Sequence, residues 1–230
     1  MVSDNIFHNW NKAFEKSVLN CYEPNIGLFL GGADSSAIAL CLADHKLPFL
    51  SVTCLNNPKS EDLDTLQAVI NYTKEYNNHS ETKSYKKLTP FIKQFLPHNI
   101  NFSPFLSCID ILDTKVFMRG YKMPYEPESY AGTNRKATYV DLIYNITTIA
   151  AFMNVSIKYP YVNEEILLAV ENEMTDKDKS LLLSTDYTPL MTPFVKQYLI
   201  DRNIPIPKIK GRFSDQWKKN ESEDKEVIKY

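Results

Sequence analysis

Ile26-Gly27-Leu28-Phe29-Leu30-Gly31-Gly32-Ala33-Asp34-Ser35-Ser36 is the stretch whose reading decides the fold. Ile26 to Leu30 is short, apolar and uncharged, as a strand buried on both faces requires. Ser36 to Ala43 carries helix formers with apolar residues at Ile38, Cys41 and Leu42. Gly31 and Gly32 therefore stand at a strand-to-helix turn. Glycine there permits positive φ and lets backbone N–H groups approach an oxyanion, and the following helix presents its positive end to the same spot. Asp34, Ser35 and Ser36 add a carboxylate able to hold a metal and two hydroxyl donors. An ordinary helix cap is the alternative, since Asp and Ser are preferred capping residues. The chain has six glycines and two are adjacent here, which weighs for a phosphate loop. Neither Gly-x-x-x-x-Gly-Lys-Ser/Thr nor Gly-x-Gly-x-x-Gly is present, so the loop is not a Walker loop or a dinucleotide fingerprint.

The loop resembles the PP-loop of the ATP pyrophosphatase superfamily, Ser-Gly-Gly-x-Asp-Ser after the first strand. Within that superfamily the chain is most similar to the synthetase domain of asparagine synthetases. Ile157-Lys158-Tyr159-Pro160-Tyr161-Val162-Asn163, before the helical-looking Glu164 to Glu173, resembles that family's Glu-x-Arg-x-Pro-Phe-Leu-Asp segment. Lys210-Gly211-Arg212-Phe213-Ser214-Asp215, with Trp217 close behind, resembles its Lys-x-x-Phe-Ser-Asp segment. The three occur in the family's order and span residues 20 to 217. Two departures stand out. Leu30 replaces the first serine of the loop. The acidic signature Ser-Gly-Glu-Gly-Ala-Asp-Glu is absent; in its place, after the strand-like Lys115-Val116-Phe117-Met118, come Arg119-Gly120-Tyr121 and then Glu126 and Glu128.

The resemblance implies carboxylate activation. ATP with Mg2+ would lie on Gly31, Gly32, Ser35 and Ser36, with Asp34 helping to hold the metal and the adenine against backbone near Leu28 and Val52. Core packing is the alternative for these last two. A substrate carboxylate would attack the α-phosphate, giving an acyl-adenylate and pyrophosphate, and ammonia or an amine would displace AMP. Lys210 would face the reacting phosphate, where a desolvated lysine stabilises developing charge, with Lys196 as second choice. Glu126 is the candidate for the missing catalytic acid, against a solvated loop as its alternative. Glutamine-dependent relatives begin with an amidotransferase domain and an N-terminal cysteine, whereas this chain starts Met1-Val2. The nitrogen is therefore expected from free ammonia, from a separate ammonia-supplying protein, or from an amine on another substrate.

Composition agrees with a cytoplasmic enzyme. At 230 residues and 43% hydrophobic the chain can bury one sizeable core. A net charge of -2 gives no general attraction to nucleic acid or membrane. The basic cluster Lys208, Lys210, Arg212, Lys218 and Lys219 is short and lacks a recognisable RNA-binding module. Cys21, Cys41, Cys54 and Cys108 are widely spaced and read as free thiols. No signal peptide or membrane span is visible.

The organisation reads as alternating strands and helices, an α/β fold with a parallel sheet of roughly four or five strands flanked by helices. That is the adenine nucleotide alpha hydrolase-like class implied by the resemblance. Ser3 to Ser17 reads as a helix with Ile6, Phe7, Trp10 and Phe14 on one face; Phe49 to Leu55 as a strand; Ser60 onward as a helix striped by Leu66, Val69, Ile70 and Tyr76. Helices are also expected over Thr138 to Asn154, Glu164 to Met174 and Pro193 to Asp201. One domain over 1–220 is expected, with a nucleotide-binding core over 1–130, a mostly helical C-terminal lobe over 131–220, and a disordered tail over 221–230.

Two other functions fit the same loop. A tRNA-modifying PP-loop enzyme would adenylate a base carbonyl, although the Cys-x-x-Cys pairs common in sulfur-inserting kinds are absent. A degenerate member would bind nucleotide without turnover.

Overall fold

A computed structural model of the chain describes residues 4–54, 63–82, 109, 111–120, 147–171 and 191–206. The elements are α1 (Asp4–Cys21), β1 (Gly27–Phe29), α2 (Ala33–Asp44), β2 (Phe49–Cys54), α3 (Leu63–Thr73), β3 (Asn77–Thr82), β4 (Val116–Met118), β5 (Ser156–Lys158), α4 (Glu164–Glu171) and α5 (Met191–Ile200). Among the described residues the five strands form one sheet in the order β3-β2-β1-β4-β5. Every pairing is parallel, with Leu28 opposite Ser51 on one side and Met118 on the other. The α/β class with a helix-flanked parallel sheet is thus the one observed.

Alternation along the strands sorts side chains onto two faces. Leu28, Leu30, Phe49 and Met118 join the larger core, which α1, α2, α3, α4 and α5 complete through Trp10, Phe14, Ile38, Leu66, Ile166, Phe194 and Tyr198. Phe29, Leu50, Val52, Phe117 and Ile157 point the other way, against Ile109, Leu112, Ile149 and Ala150. β1 is covered on both faces, which explains its lack of charge. Gly27 follows from the same packing: a Cβ there would lie 2.6 Å from the Phe117 ring and 2.8 Å from Thr114 Cγ2.

α2 is buried from Ser35 to Ala43 without interruption, the pattern of a helix enclosed on all sides. Its small residues let it lie under the sheet while α3 and α5 pack on it. α1 buries Trp10, Phe14 and Val18, with Phe7 half-buried against them, so the expected stripe is present from Phe7 to Phe14, and the helix runs one turn beyond Ser17 to Cys21. Trp10 stacks on Phe14 at 5.0 Å and on Phe194 at 5.4 Å, while Phe14 stacks on Tyr161 at 5.1 Å. Residues 147–152 are helical, within the span expected for that helix. The described residues after 131 supply β5 to the common sheet and Tyr161, Ile166, Phe194 and Tyr198 to the common core. Among the described residues, no helix is long and apolar enough to cross a membrane.

β3 was not expected. Its sequence, Asn77-Asn78-His79-Ser80-Glu81-Thr82, is polar throughout, as an edge strand tolerates. It is tied to β2 by side chains as well as backbone. Asn77 Nδ2 donates to Thr73 Oγ1 at 3.1 Å, Ser51 Oγ donates to Asn77 Oδ1 at 2.7 Å, and His79 Nδ1 lies 2.7 Å from the same Ser51 hydroxyl. Ser51's single proton goes to Asn77, so Nδ1 of His79 is the donor in this chain of bonds.

Candidate functional site

In an open parallel sheet, ligands bind beyond the carboxyl ends of the strands where the chain reverses its direction of winding. Here that point lies between β1 and β4, which are neighbours in the sheet but separated in sequence by β2 and β3. Three segments meet there: Leu30-Gly31-Gly32 after β1, Arg119-Gly120 after β4, and Tyr159-Pro160-Tyr161 after β5.

The loop after β1 is held tightly. Leu30 is fully buried, its N–H donates to the Val52 carbonyl at 3.0 Å, and its carbonyl accepts from Thr53 Oγ1 at 3.0 Å. The position where the resemblance expects a serine is therefore a core position, its side chain buried and both its backbone groups already bonded. Gly32 caps α2 with φ -171° and ψ 176°. This is extended backbone open to any residue, and no described glycine has positive φ. The expected conformational reason for the glycines is thus not the operating one. A Cβ on Gly32 would meet nothing within 4 Å, so the backbone there faces open room and the protein's own packing does not require glycine at this position.

The N–H groups of Gly31 and Gly32 converge on one oxygen. Ser35 Oγ accepts from both, at 3.2 and 3.3 Å, and donates to the Gly32 carbonyl at 3.0 Å. Ser36 Oγ also donates to that carbonyl, at 2.9 Å. Both hydroxyls are donors, and each is turned back onto the loop, because the extended Gly32 leaves its carbonyl within reach of both. The cap of α2 is thus Gly32 itself, with Ser35 bonding back to its N–H from the first turn, and not an Asp or Ser in the cap position. The geometry shows equally that the two amides can grip a single oxygen at the positive end of α2.

The peptide joining Asp34 to Ser35 is enclosed from two other segments. Tyr161 Oη donates to the Asp34 carbonyl at 3.0 Å. Burial, with the Asp34 charge adding to it, holds the Tyr161 phenol well above its usual pKa, so it stays a neutral donor. From β4, Gly120 comes so close that a Cβ would lie 2.9 Å from both Asp34 Cβ and Ser35 N. Neither residue was singled out in the sequence. A glycine directly after a strand in a chain of six glycines was the available signal for Gly120; for Tyr161 it was the Pro-Tyr within the resembling segment.

Gly31, Gly32, Asp34, Ser35 and Ser36 are thus brought together at the tip of β1. Leu28 and Val52 lie in the adjoining strands with fully buried side chains, as core packing requires. Lys196 is exposed on α5. Glu126, Glu128 and Lys210 lie outside the described residues, as do Cys108 and the basic cluster near the C-terminus. Cys21 and Cys41 are free thiols, and burial pushes Cys41 up to about 12. Among the described residues no three His, Cys, Asp or Glu side chains gather as a metal cage. Two surface hollows, of about 320 and 400 Å³, sit at the amino ends of β1, β2 and β3 and between α1 and α4; neither touches the loop.

No family model and no curated protein matches the chain. Among solved structures it is similar to phosphoadenylyl-sulfate (PAPS) reductase from Candida auris in a phosphate complex, with 12% of residues identical, 93% of this chain and 97% of that chain covered, and a TM-score of 0.44.

Proposed function

We propose that the loop after β1 binds the phosphates of ATP, and that the protein is an ATP-dependent, AMP- and pyrophosphate-forming ligase joining a small-molecule carboxylate to ammonia or an amine. The observation that carries the reading is the convergence of the Gly31 and Gly32 amides on one oxygen, at the carboxyl end of the central strand, beside the β1/β4 reversal. The Ser35 hydroxyl there stands in for a phosphate oxygen, and the open space before Gly32 leaves room for the rest.

The residues have distinct tasks. Gly31 and Gly32 offer main-chain donors, and α2 adds its positive end. Ser35 gives up its place on the two amides and turns its hydroxyl to the bound anion; Ser36 holds the Gly32 carbonyl in its stead. Asp34 would hold the metal. Mg2+ commonly binds through one or two carboxylates together with phosphate oxygens and waters, so one aspartate suits it. Lys210 neutralises charge at the reacting phosphate, and Glu126 serves as the acid; both assignments rest on the resemblance. Alignment and charge neutralisation are the main catalytic contributions in such a site.

The test is calorimetric titration of the full chain with Mg-ATP, followed by a pyrophosphate-release assay with mixed amino acids and ammonium. Binding followed by carboxylate-dependent release supports the ligase. Absence of Mg-ATP binding overturns the whole reading. A second reading, nucleotide binding without turnover, is favoured by Leu30 standing in the core and by both serine hydroxyls facing the loop; its signature is binding with no pyrophosphate. Release that requires tRNA identifies a base modifier instead.

A further inference from the structure

The Asp34–Ser35 peptide is held on its carbonyl by Tyr161 and against its Asp34 Cβ and Ser35 N side by Gly120. We infer that Tyr161 and Gly120 are positioning residues for the loop: together they fix this peptide, and through it the direction of the donors in the first turn of α2. The functional meaning rests on the nucleotide reading above; the clamp itself does not.

The argument follows from how the parts are anchored. Tyr161 is fully buried and stacks on Phe14, so its hydroxyl is aimed by the aromatic core and not by a mobile side chain. The bond it makes spans 127 residues of sequence, and it is made to the one group that fixes the Ser35 N–H: the Asp34 carbonyl belongs to the same rigid planar unit. Donation to that oxygen also polarises the unit and strengthens its N–H as a donor. Gly120 is anchored in turn, since the preceding Arg119 donates its N–H to the Lys158 carbonyl at 3.0 Å. The ends of β4 and β5 are thereby locked to each other and to the tip of α2. Ser17 Oγ completes the frame, donating to the Pro160 carbonyl at 2.7 Å and accepting from Asn163 Nδ2 at 2.9 Å. Alignment of donors before a ligand arrives is the condition for binding without reorganisation.

The experiment compares Tyr161→Phe with Tyr198→Phe. Both remove one buried hydroxyl from the same aromatic cluster, but the Tyr198 hydroxyl bonds Glu15 Oε1 at 3.3 Å, away from the loop. Amide hydrogen exchange of the full chain is the first readout. Exchange over 31–36 should quicken about threefold to tenfold in Tyr161→Phe, the worth of one hydrogen bond, and stay unchanged in Tyr198→Phe. The second is the Kd for Mg-ATP, which should weaken by a similar factor in Tyr161→Phe alone. Unchanged exchange in Tyr161→Phe, or an equal change in both variants, overturns the inference. Should Tyr161→Phe fail to fold, Gly120→Ala probes the other side of the clamp and must quicken the same amides. If wild type binds no Mg-ATP, the nucleotide reading falls while the exchange data still decide the clamp.

Discussion

The Ser35 side chain and the Gly32 backbone are bonded in both directions: the hydroxyl accepts from the Gly32 N–H at 3.3 Å and donates to the Gly32 carbonyl at 3.0 Å. One residue thus occupies a donor and an acceptor of the loop at once. Ser35→Ala removes both bonds and the Gly31 contact as well, and should lower stability by about 0.5–1.5 kcal/mol, as loss of a helix cap does. Urea denaturation of the two proteins, with similar slopes and a lower midpoint for the variant, is the check.

Gly27 and Gly32 are expected to respond in opposite ways. Gly27→Ala drives a methyl group into the Phe117 ring and Thr114, and should cost about 1–3 kcal/mol as an overpacked core does. Gly32→Val enters open space with an accessible backbone conformation, so it should fold like wild type yet fail to bind Mg-ATP. Thermal melts with and without Mg-ATP separate the two: a lower melting point for one, a missing ligand-induced rise for the other.

Acid should weaken the fold through His79. Burial lowers its pKa below the usual 6.5, with Glu81 opposing, so below that value the unfolded chain takes up a proton that the folded one refuses. Stability is then greatest above about pH 6.5 and falls as pH drops toward the folded pKa, by at most about 1.4 kcal/mol per pH unit. Denaturant midpoints between pH 7.5 and 5.5 should show the fall, and His79→Gln should flatten it.

Arg202 fastens the far end of α2. It reaches Asp44 Oδ2 at 2.6 Å, donates to the Tyr198 carbonyl at 3.1 Å and lies 3.5 Å over the Tyr198 ring, with its side chain 16% exposed. Asp44 sits at the negative end of its helix, where a carboxylate is disfavoured unless a cation offsets it. Arg202→Ala should cost about 1–3 kcal/mol, and Arg202→Lys should recover only part, because an ammonium neither stacks nor forks. Guanidinium melts monitored by circular dichroism measure both.

The first strand, the loop and α2 were legible in the sequence because they are contiguous, and because a doubly buried strand and a wholly buried helix leave unbroken apolar runs. The stripe of α1 was legible for the same reason. β3 was not: its polar residues carry no alternation, and what holds it is the Thr73-Asn77-Ser51-His79 series of side-chain bonds. β5 has three residues and one buried side chain, Ile157, too little for a period to show. The loop residues do lie together at the tip of β1, but an Asp-Ser pair after two glycines reads alike whether its hydroxyl turns outward or inward, and only the extended Gly32 decides. Tyr161 and Gly120 reach the loop through tertiary packing across long stretches of chain, which no local pattern reveals.

The strand order also dictates a sequence of events during synthesis. Gly27 pairs with Leu50 on one side and with Phe117 on the other. One flank of β1 can therefore be satisfied early, while the other waits for a partner encoded far downstream. At translation rates of about 5–20 residues per second, that interval lasts on the order of 3–13 s. Throughout it the nascent half-sheet carries a bare apolar border at what will become its centre, the state in which a chaperone has most to offer and a truncated product is most prone to aggregate.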